Sequence, residues 1–382
     1  MTAWLVRAVG DFELAEDVVQ ETILSALERW PRDGIPDSPR GWLFTVARRR
    51  AIDRLRRERR YAAKIAALPT PEASEQPDTR LELIFMCCHP ALAPEAQVAL
   101  TLRAVCGLTT AEIASAFLVS ETALAQRIVR ARRKIDVAGI PYRLPDADEL
   151  DARLRQVLAV LYLMFNEGYL ASGSGPAMRR DVAEDAAWLA ELVSQLFPFE
   201  PEALGLLALM RLHLARSAAR LDGAGDLVLL RDQDRGRWDR AAIVEASALI
   251  ERAAALRRPG PYQLQAAIAA CHAEARSWSE TDWRQIVVLY DMLLAVAPSA
   301  VARLNRAVAM GALAGPAIAL AEVERLGSEL RGYHLYHSIL AELLHELGRP
   351  AEAHAAQERA LALTSNRAEQ SLLRRRLRDR AC

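Results

Sequence analysis

Residues 108–135 read LTTAEIASAFLVSETALAQRIVRARRKI. Thr109 or Thr110 can cap a short first helix with Glu112 early in it; Phe117–Val119 form a turn; Ser120 caps a second helix. Ile113 and Ala114 face inward, and Ala114 is small where the two helices cross. In the second helix Leu124, Ile128 and Ala131 recur at helical spacing on the buried side. Ser120, Glu121, Thr122, Gln126, Arg127 and Arg130 are left facing out. From Arg127 to Lys134 there are five bases and no acid. Such a helix can lie in the major groove, its early residues on base edges and its arginines on phosphates. The same pattern also fits an ordinary helical hairpin, so the surrounding chain has to decide.

The surroundings are helical. Alanine and leucine dominate the 382 residues, aromatics make up only 6%, and alternating Val, Ile and Thr runs are nearly absent, which predicts an all-α protein of two or three domains. The net charge is zero, which by itself argues against a nucleic-acid binder, but the charge is clustered. Asp11, Glu13, Glu16, Asp17, Glu21 and Glu28 form a stretch without a base, whereas eight arginines between Arg48 and Arg60 face only Asp53 and Glu58. Acid partners four residues on are nearly missing in that basic run, so it is not neutralised locally, and eight arginines would displace counterions from a phosphate backbone. Five irregularly spaced cysteines imply no disulfide framework and fit a reducing compartment. No apolar run is long enough for a membrane span, and the N-terminus lacks a signal-peptide pattern, so a cytoplasmic protein is expected.

Upstream, a helix runs to about Trp30, and WPRDGIPDSPRG (30–41) brings three prolines and two glycines, a loop. Ser38 and Pro39 then stand where a cap and a first-turn proline belong, opening a long arginine-laden helix. Trp30, Trp42 and Phe44 flank the loop; aromatics beside a basic helix suit unpaired bases, although Trp42 and Phe44 also suit core packing. LPTPEASEQPD (68–78) reads as a linker, as does GIPYRLPDADE (139–149).

The order EDVVQETILSALERWP, SPRGWLFTVARRRAIDRLRR, linker, LTTAEIASAFLVSETALAQRIVRARRKI resembles extracytoplasmic-function sigma factors of bacterial RNA polymerase over roughly residues 1–138. The resemblance implies that Asp17, Gln20, Glu21 and Leu24 lie on a polymerase-binding helix. It places Trp30, Trp42, Arg50, Asp53, Arg54 and Arg57 in the handling of −10 DNA, with the Trp30–Arg40 loop capturing a flipped base. It makes Ser120, Glu121, Thr122, Gln126, Arg127 and Arg130 the −35 contacts. Two departures stand out: Arg49 occupies a position where the family usually has Asn, and the chain begins inside the family's first helix, so its −10 domain is expected to be N-terminally short.

Further on, LELIFMCCHPALAPEAQVALTLR, LYLMFNEGYLASG and a helical-repeat tail look like the subgroup with a C-terminal tetratricopeptide-like extension. LAGPAIALAEVERL (313–326) aligns with LGRPAEAHAAQERA (347–360) at an offset of 34, pairing Pro316 with Pro350 and Ala321 with Ala355; that is the tetratricopeptide period. The expected organisation is 1–62 for the −10 and polymerase-binding domain, 63–79 linker, 80–138 for the −35 domain, 139–150 linker, and 151–382 for the repeat domain. MCCHP (86–90) cannot wrap one metal ion, no second Cys/His pair stands at ligand spacing, and no metal or cofactor is expected. Glu167 lacks a catalytic companion, Gly168 is expected to end a helix, and His334, His337 and His345 read as packing or surface groups, so no enzyme is predicted. The expected function is promoter recognition with core RNA polymerase and promoter DNA as partners, modulated in cis by a C-terminal domain that can take a peptide or protein partner. The alternatives are a polymerase-independent helix-turn-helix regulator with a repeat sensor, and a repeat scaffold.

Overall fold

A computed structural model describes residues 1–9, 12–58, 79–105, 107–116, 119–140, 145–169, 180–223 and 225–379. Every regular element among them is helical, in keeping with a composition rich in Ala and Leu. They fall into two compact units, Met1–Val160 and Leu161–Cys382.

In the first unit, α1 (Thr2–Val9), α2 (Phe12–Asp33) and α3 (Pro39–Glu58) pack on one another. Leu5, Val6, Leu14, Ala15, Val18, Ala26, Ala47 and Ala51 are buried among them, the inward stripe of each helix. The α2 helix runs one turn further than its prolines suggest. Pro31 sits inside its last turn, and the helix stops only at Gly34, whose φ of +83° is the left-handed conformation that glycine adopts cheaply. Ser38 caps α3 as expected, its Oγ accepting from the Gly41 amide at 3.3 Å.

The helices α4 (Thr79–Cys87), α5 (Pro94–Ala104), α6 (Thr110–Ala116) and α7 (Glu121–Ala138) form the helix-turn-helix body. Thr109, rather than Thr110, caps α6. Its hydroxyl accepts from the Glu112 amide at 3.2 Å, and a Glu112 carboxylate oxygen accepts from the Thr109 amide at 2.7 Å, a reciprocal capping box. Residues 117–118 of the expected turn, Cys106 and Cys382, residues 63–78 of the first linker and 141–144 of the second lie outside the described residues. Cys87 and Cys88 are buried, and desolvation pushes both thiols up, Cys88 to about 12; His89 accepts from the Ala91 amide through Nδ1. These three residues therefore serve packing and a turn.

The helix α8 (Ala147–Tyr169) begins in the first unit and ends in the second. Its described part ends at Tyr169, one residue past Gly168. A Cβ on Gly168 would stand 2.4 Å from the Ala183 nitrogen on α9 (Arg180–Leu196), so the glycine permits a close helix crossing. The same device recurs between α10 (Pro201–Ala215) and α12 (Pro261–Glu274): a Cβ on Gly205 would reach 2.5 Å from the Gln263 nitrogen. Glu202, on α10, caps α12 by accepting from the Tyr262 and Gln263 amides at 2.9 and 3.0 Å. Helix α11 (Arg240–Ala255) covers both.

Beyond these, α13 (Trp283–Val296), α14 (Ala300–Ala314), α15 (Pro316–Glu324), α16 (Gly327–Leu330), α17 (His334–Glu346), α18 (Pro350–Leu363) and α19 (Arg367–Asp379) follow as successive packed neighbours. The starts of α14 and α17, and of α15 and α18, are each 34 residues apart, the offset of the sequence repeat. Leu304, Ala319, Val323, Tyr336, Leu344 and Ala353 belong to a core shared by α14 to α18. His334 differs from the sequence reading: its Nε2 lies 3.1 Å from a carboxylate oxygen of Glu369, an acid supplied by α19 rather than by its own helix. Burial alone would raise the Glu369 proton affinity, but His334 and the Thr364 hydroxyl reverse that and hold it below the usual carboxylate range.

Candidate nucleic-acid and polymerase interface

The α7 helix divides cleanly by face. Leu124, Ile128, Ala131 and Ile135 are buried against α5 and α6, while Ser120, Glu121, Thr122, Gln126 and Arg130 are exposed and Arg127 half-exposed. The Ser120 Oγ accepts from the Ala123 amide at 3.2 Å, and Arg130 Nε donates to the Gln126 carbonyl at 3.2 Å. Beyond the capping serine, the first turn offers the exposed polar side chains of Glu121 and Thr122, and the following turns offer guanidinium groups. That arrangement suits a helix whose N-terminal end reads base edges while its basic residues grip phosphates.

The acidic and basic stripes of the N-terminal helices face each other. Arg50 pairs with Glu21 at 3.0 Å and donates to the Ser25 hydroxyl; Arg54 pairs with Asp17 at 3.0 Å and with Glu21. The hydrogen bond to Asp17, with Glu21 adding to it, strengthens the hold of Arg54 on its proton. The lack of neutralising acids within α3 is therefore made good by α2, and the expectation of an uncompensated arginine face fails at these two positions. Arg49 and Asp53 are exposed, and the side chain of Arg57 lies outside the described ones.

Pairing Asp17 and Glu21 toward α3 turns another side of α2 outward. Gln20 is exposed there, with Ile23, Leu24 at 58% and Leu27 at 66% of their full surface. Three large apolar side chains thus lie open to solvent on one helix face. Trp30 and Trp42 meet edge-on, with centroids 5.7 Å apart, at the two ends of the proline loop, and both remain partly accessible. Phe44 is buried against Trp4 at 5.4 Å and is unavailable for stacking on a base.

A contact the sequence did not disclose joins the two halves of this unit. One carboxylate, Glu16 on α2, pairs with Arg103 on α5 at 3.1 Å and with Arg132 on α7. All three side chains are roughly four-fifths buried. Residues so far apart in the chain carry no local signal for such a pairing.

Three family models match the chain. Sigma-70 region 2 covers residues 1–61, sigma-70 region 4 covers 82–135, and a family of unknown function covers 153–254. The ECF RNA polymerase sigma factor SigL of Mycobacterium tuberculosis is 34% identical over 142 residues, 35% of this chain and 78% of SigL. The chain belongs to the extracytoplasmic-function sigma-70 family. The probable ECF RNA polymerase sigma factor SigI of the same organism is 33% identical to this sigma factor over 148 residues, 35% of the chain and 50% of SigI. An uncharacterized protein of Rhizobium meliloti (strain 1021) is 45% identical over 390 residues, spanning 98% of this sigma factor and 91% of the relative. That match carries the C-terminal helices along with the sigma regions. No solved structure matches. No helix among the described residues is long and apolar enough to cross a membrane.

Proposed function

We propose that this sigma factor docks on core RNA polymerase through the outward face of α2, with Gln20, Leu24 and Leu27 at its centre and Asp17 and Glu21 at its edge. In this reading α7 enters the major groove of a −35 element, with Ser120, Glu121, Thr122 and Gln126 toward base edges and Arg127 and Arg130 on phosphates. Trp30, Trp42, Arg50, Asp53, Arg54 and Arg57 handle the −10 element. A base flipped into the proline loop would cost a few kcal/mol of stacking, offset by contacts in its pocket. The observation that carries this reading is the division of α7 into a buried apolar stripe and an exposed face of short polar and guanidinium side chains. The work is done in the cytoplasm, and the polymerase supplies the chemistry.

The Glu16 ion pairs bear on how the reading operates. Arg132 belongs to the basic end of α7 and is occupied by a carboxylate of α2. Binding of α7 along a phosphate backbone therefore competes with this intramolecular pair. The C-terminal unit, tetratricopeptide-like in its 34-residue recurrence, controls activity in cis and offers its stacked helices to a peptide or protein partner.

Transcription in vitro with purified core polymerase on random-promoter templates tests the proposal. Discrete start points that depend on the added protein, with −35 preferences changed by Thr122→Ala or Gln126→Ala, are expected. The absence of any defined start point would refute it. Removing residues 151–382 should alter promoter-specific output; identical output under every condition would remove the cis-control part alone.

A further inference from the structure

The C-terminal unit contains a cavity of about 480 Å³ that the transcriptional reading does not use. It lies between α10, α12 and the α13–α14 turn, inside the second unit, and its size is that of a small-molecule site. Its apolar wall is made by Leu209, Ile268, Leu293 and Val301. Among the described residues, no aspartate or glutamate lines it, and the one fully charged side chain that does is Arg216.

Most polar groups on the wall are already engaged. Gln265 donates to the Pro261 carbonyl and faces the Tyr162 hydroxyl, Tyr290 bonds Asn305, and the Ser299 hydroxyl caps α14. Two keep an unpaired nitrogen. Arg216 is only 7% exposed; it reaches His213 Nδ1 at 2.8 Å through one terminal nitrogen and hydrogen-bonds Tyr169, while among the described residues its Nε has no partner. His272 Nδ1 is also buried without a partner. Burial, with Arg216 and Arg235 close by, lowers the His272 pKa to about 4, so the ring is neutral.

The positive charge continues behind the wall. Arg235, 9% exposed, donates to the carbonyls of His272 and Ala275 at 2.6 and 2.7 Å and stacks over Trp238 at 4.6 Å. Its second terminal nitrogen has no partner. Arg216 and Arg240 approach the same indole, each at 5.9 Å. Among the described residues, no carboxylate acts on Arg216, and Glu280 is the one carboxylate acting on Arg235. A buried guanidinium without a counter-charge is costly, and a ligand that brings one is correspondingly favoured.

We infer that this cavity binds a small organic acid, its carboxylate received by Arg216 and His272 and its apolar body seated against Leu209, Ile268, Leu293 and Val301. Arg216 supplies a charge-assisted bond and His272 a neutral ring donor, which suits a carboxylate, while the apolar wall excludes a bare inorganic anion. The site is independent of whether the C-terminal unit controls transcription, because its occupancy is read by binding alone.

Titration calorimetry on the full chain tests this with phenylacetate and octanoate, their primary amides, and inorganic phosphate. The acids should bind, and the amides should bind about tenfold or more weakly, since they lack the charge that Arg216 receives. Arg216→Gln should abolish acid binding. Val301→Trp, placed at a partly exposed position on the rim and so compatible with folding, should abolish it by filling the cavity, whereas Arg258→Gln, exposed and outside the lining, should leave it unchanged. Amides binding as well as acids, phosphate binding as well as either, acid binding that survives Val301→Trp, or no acid binding to the wild-type chain would each overturn the inference. A chain-terminal carboxylate is the other source of this chemistry, so acetyl-leucyl-leucine and its C-terminal amide form a second arm. Tighter binding of that dipeptide acid than of every free acid would assign the cavity to a peptide terminus and overturn the small-acid reading.

Discussion

Replacing Glu16 by Gln removes one charge and leaves two arginines facing each other. In the free protein Glu16 is the common partner of Arg103 and Arg132, with side-chain exposures of 17%, 22% and 18%. Exposed ion pairs contribute about 0.2–1 kcal/mol, and breaking a fully buried one costs about 3–5 kcal/mol. At roughly one-fifth exposure the two contacts together fall between these limits, about 1–3 kcal/mol in favour of the closed arrangement of α2 against α5 and α7. An equilibrium between closed and open forms of the first unit would move by about 5–150-fold toward the open one on Glu16→Gln. Glutamine keeps the size of the side chain and leaves both arginines in place, so the basic face that would meet DNA is intact. The assay is amide hydrogen exchange across α1, α4 and α7, which reports opening free energies directly. Faster exchange there, with α10 and α12 unchanged as internal controls, is expected. In parallel, the protein concentration needed for half-maximal promoter-specific transcription should fall, because less of the chain is held in the form that occupies Arg132. Exchange in α4 and α7 that stays within about 0.5 kcal/mol of the wild type would show that Glu16 does not hold the unit closed.

Four further outcomes can be checked. Leu24→Asp and Leu27→Asp lie on exposed positions and should change stability by no more than about 0.5 kcal/mol, yet weaken core-polymerase capture in a pull-down about tenfold or more. Leu124→Ala, at a fully buried position of α7, should cost about 2–5 kcal/mol in denaturant unfolding and take DNA recognition with it. Gly205→Ala forces a methyl against the Gln263 backbone and should lower the melting temperature of the C-terminal unit, by about 1–3 kcal/mol of stability. Acid should weaken that unit through His272. The unfolded chain takes up this proton near pH 6.5 and the folded one only near 4, so between those values the unfolded state binds more protons. Stability then falls by about 1 kcal/mol per pH unit across the window, with His213, also held below its ordinary range by burial, acting in the same direction. His272→Gln should flatten that slope in urea melts collected at successive pH values.

Much of the protein is legible as a linear pattern. Helical spacing of Leu124, Ile128 and Ala131 sets the buried face of α7, and Ser120 and Ser38 mark helix starts, because caps and stripes are properties of neighbouring residues. The recurrence of Pro316 at Pro350 likewise announces equivalent helices, since each repeat must bury the same face against the next. What the pattern could not decide is who faces whom. The arginines of α3 look unneutralised along their own helix, and only the fold brings Asp17 and Glu21 across to Arg54 and Arg50. Gly168, expected from the sequence only to end a helix, and Gly205 both act as crossing points, because their missing side chains matter only once a second backbone arrives within 3 Å. Glu16 meeting Arg103 and Arg132, and Arg216 lying buried beside His272 with no acid near it, arise from packing between distant segments, where the energy of a charge depends on what surrounds it rather than on its neighbours in the chain. Local spacing announces the helices, their buried stripes and the sigma-factor family; which charges are spent inside the molecule and which remain for a partner depends on the folded arrangement, because pairing and desolvation are set by distance in space.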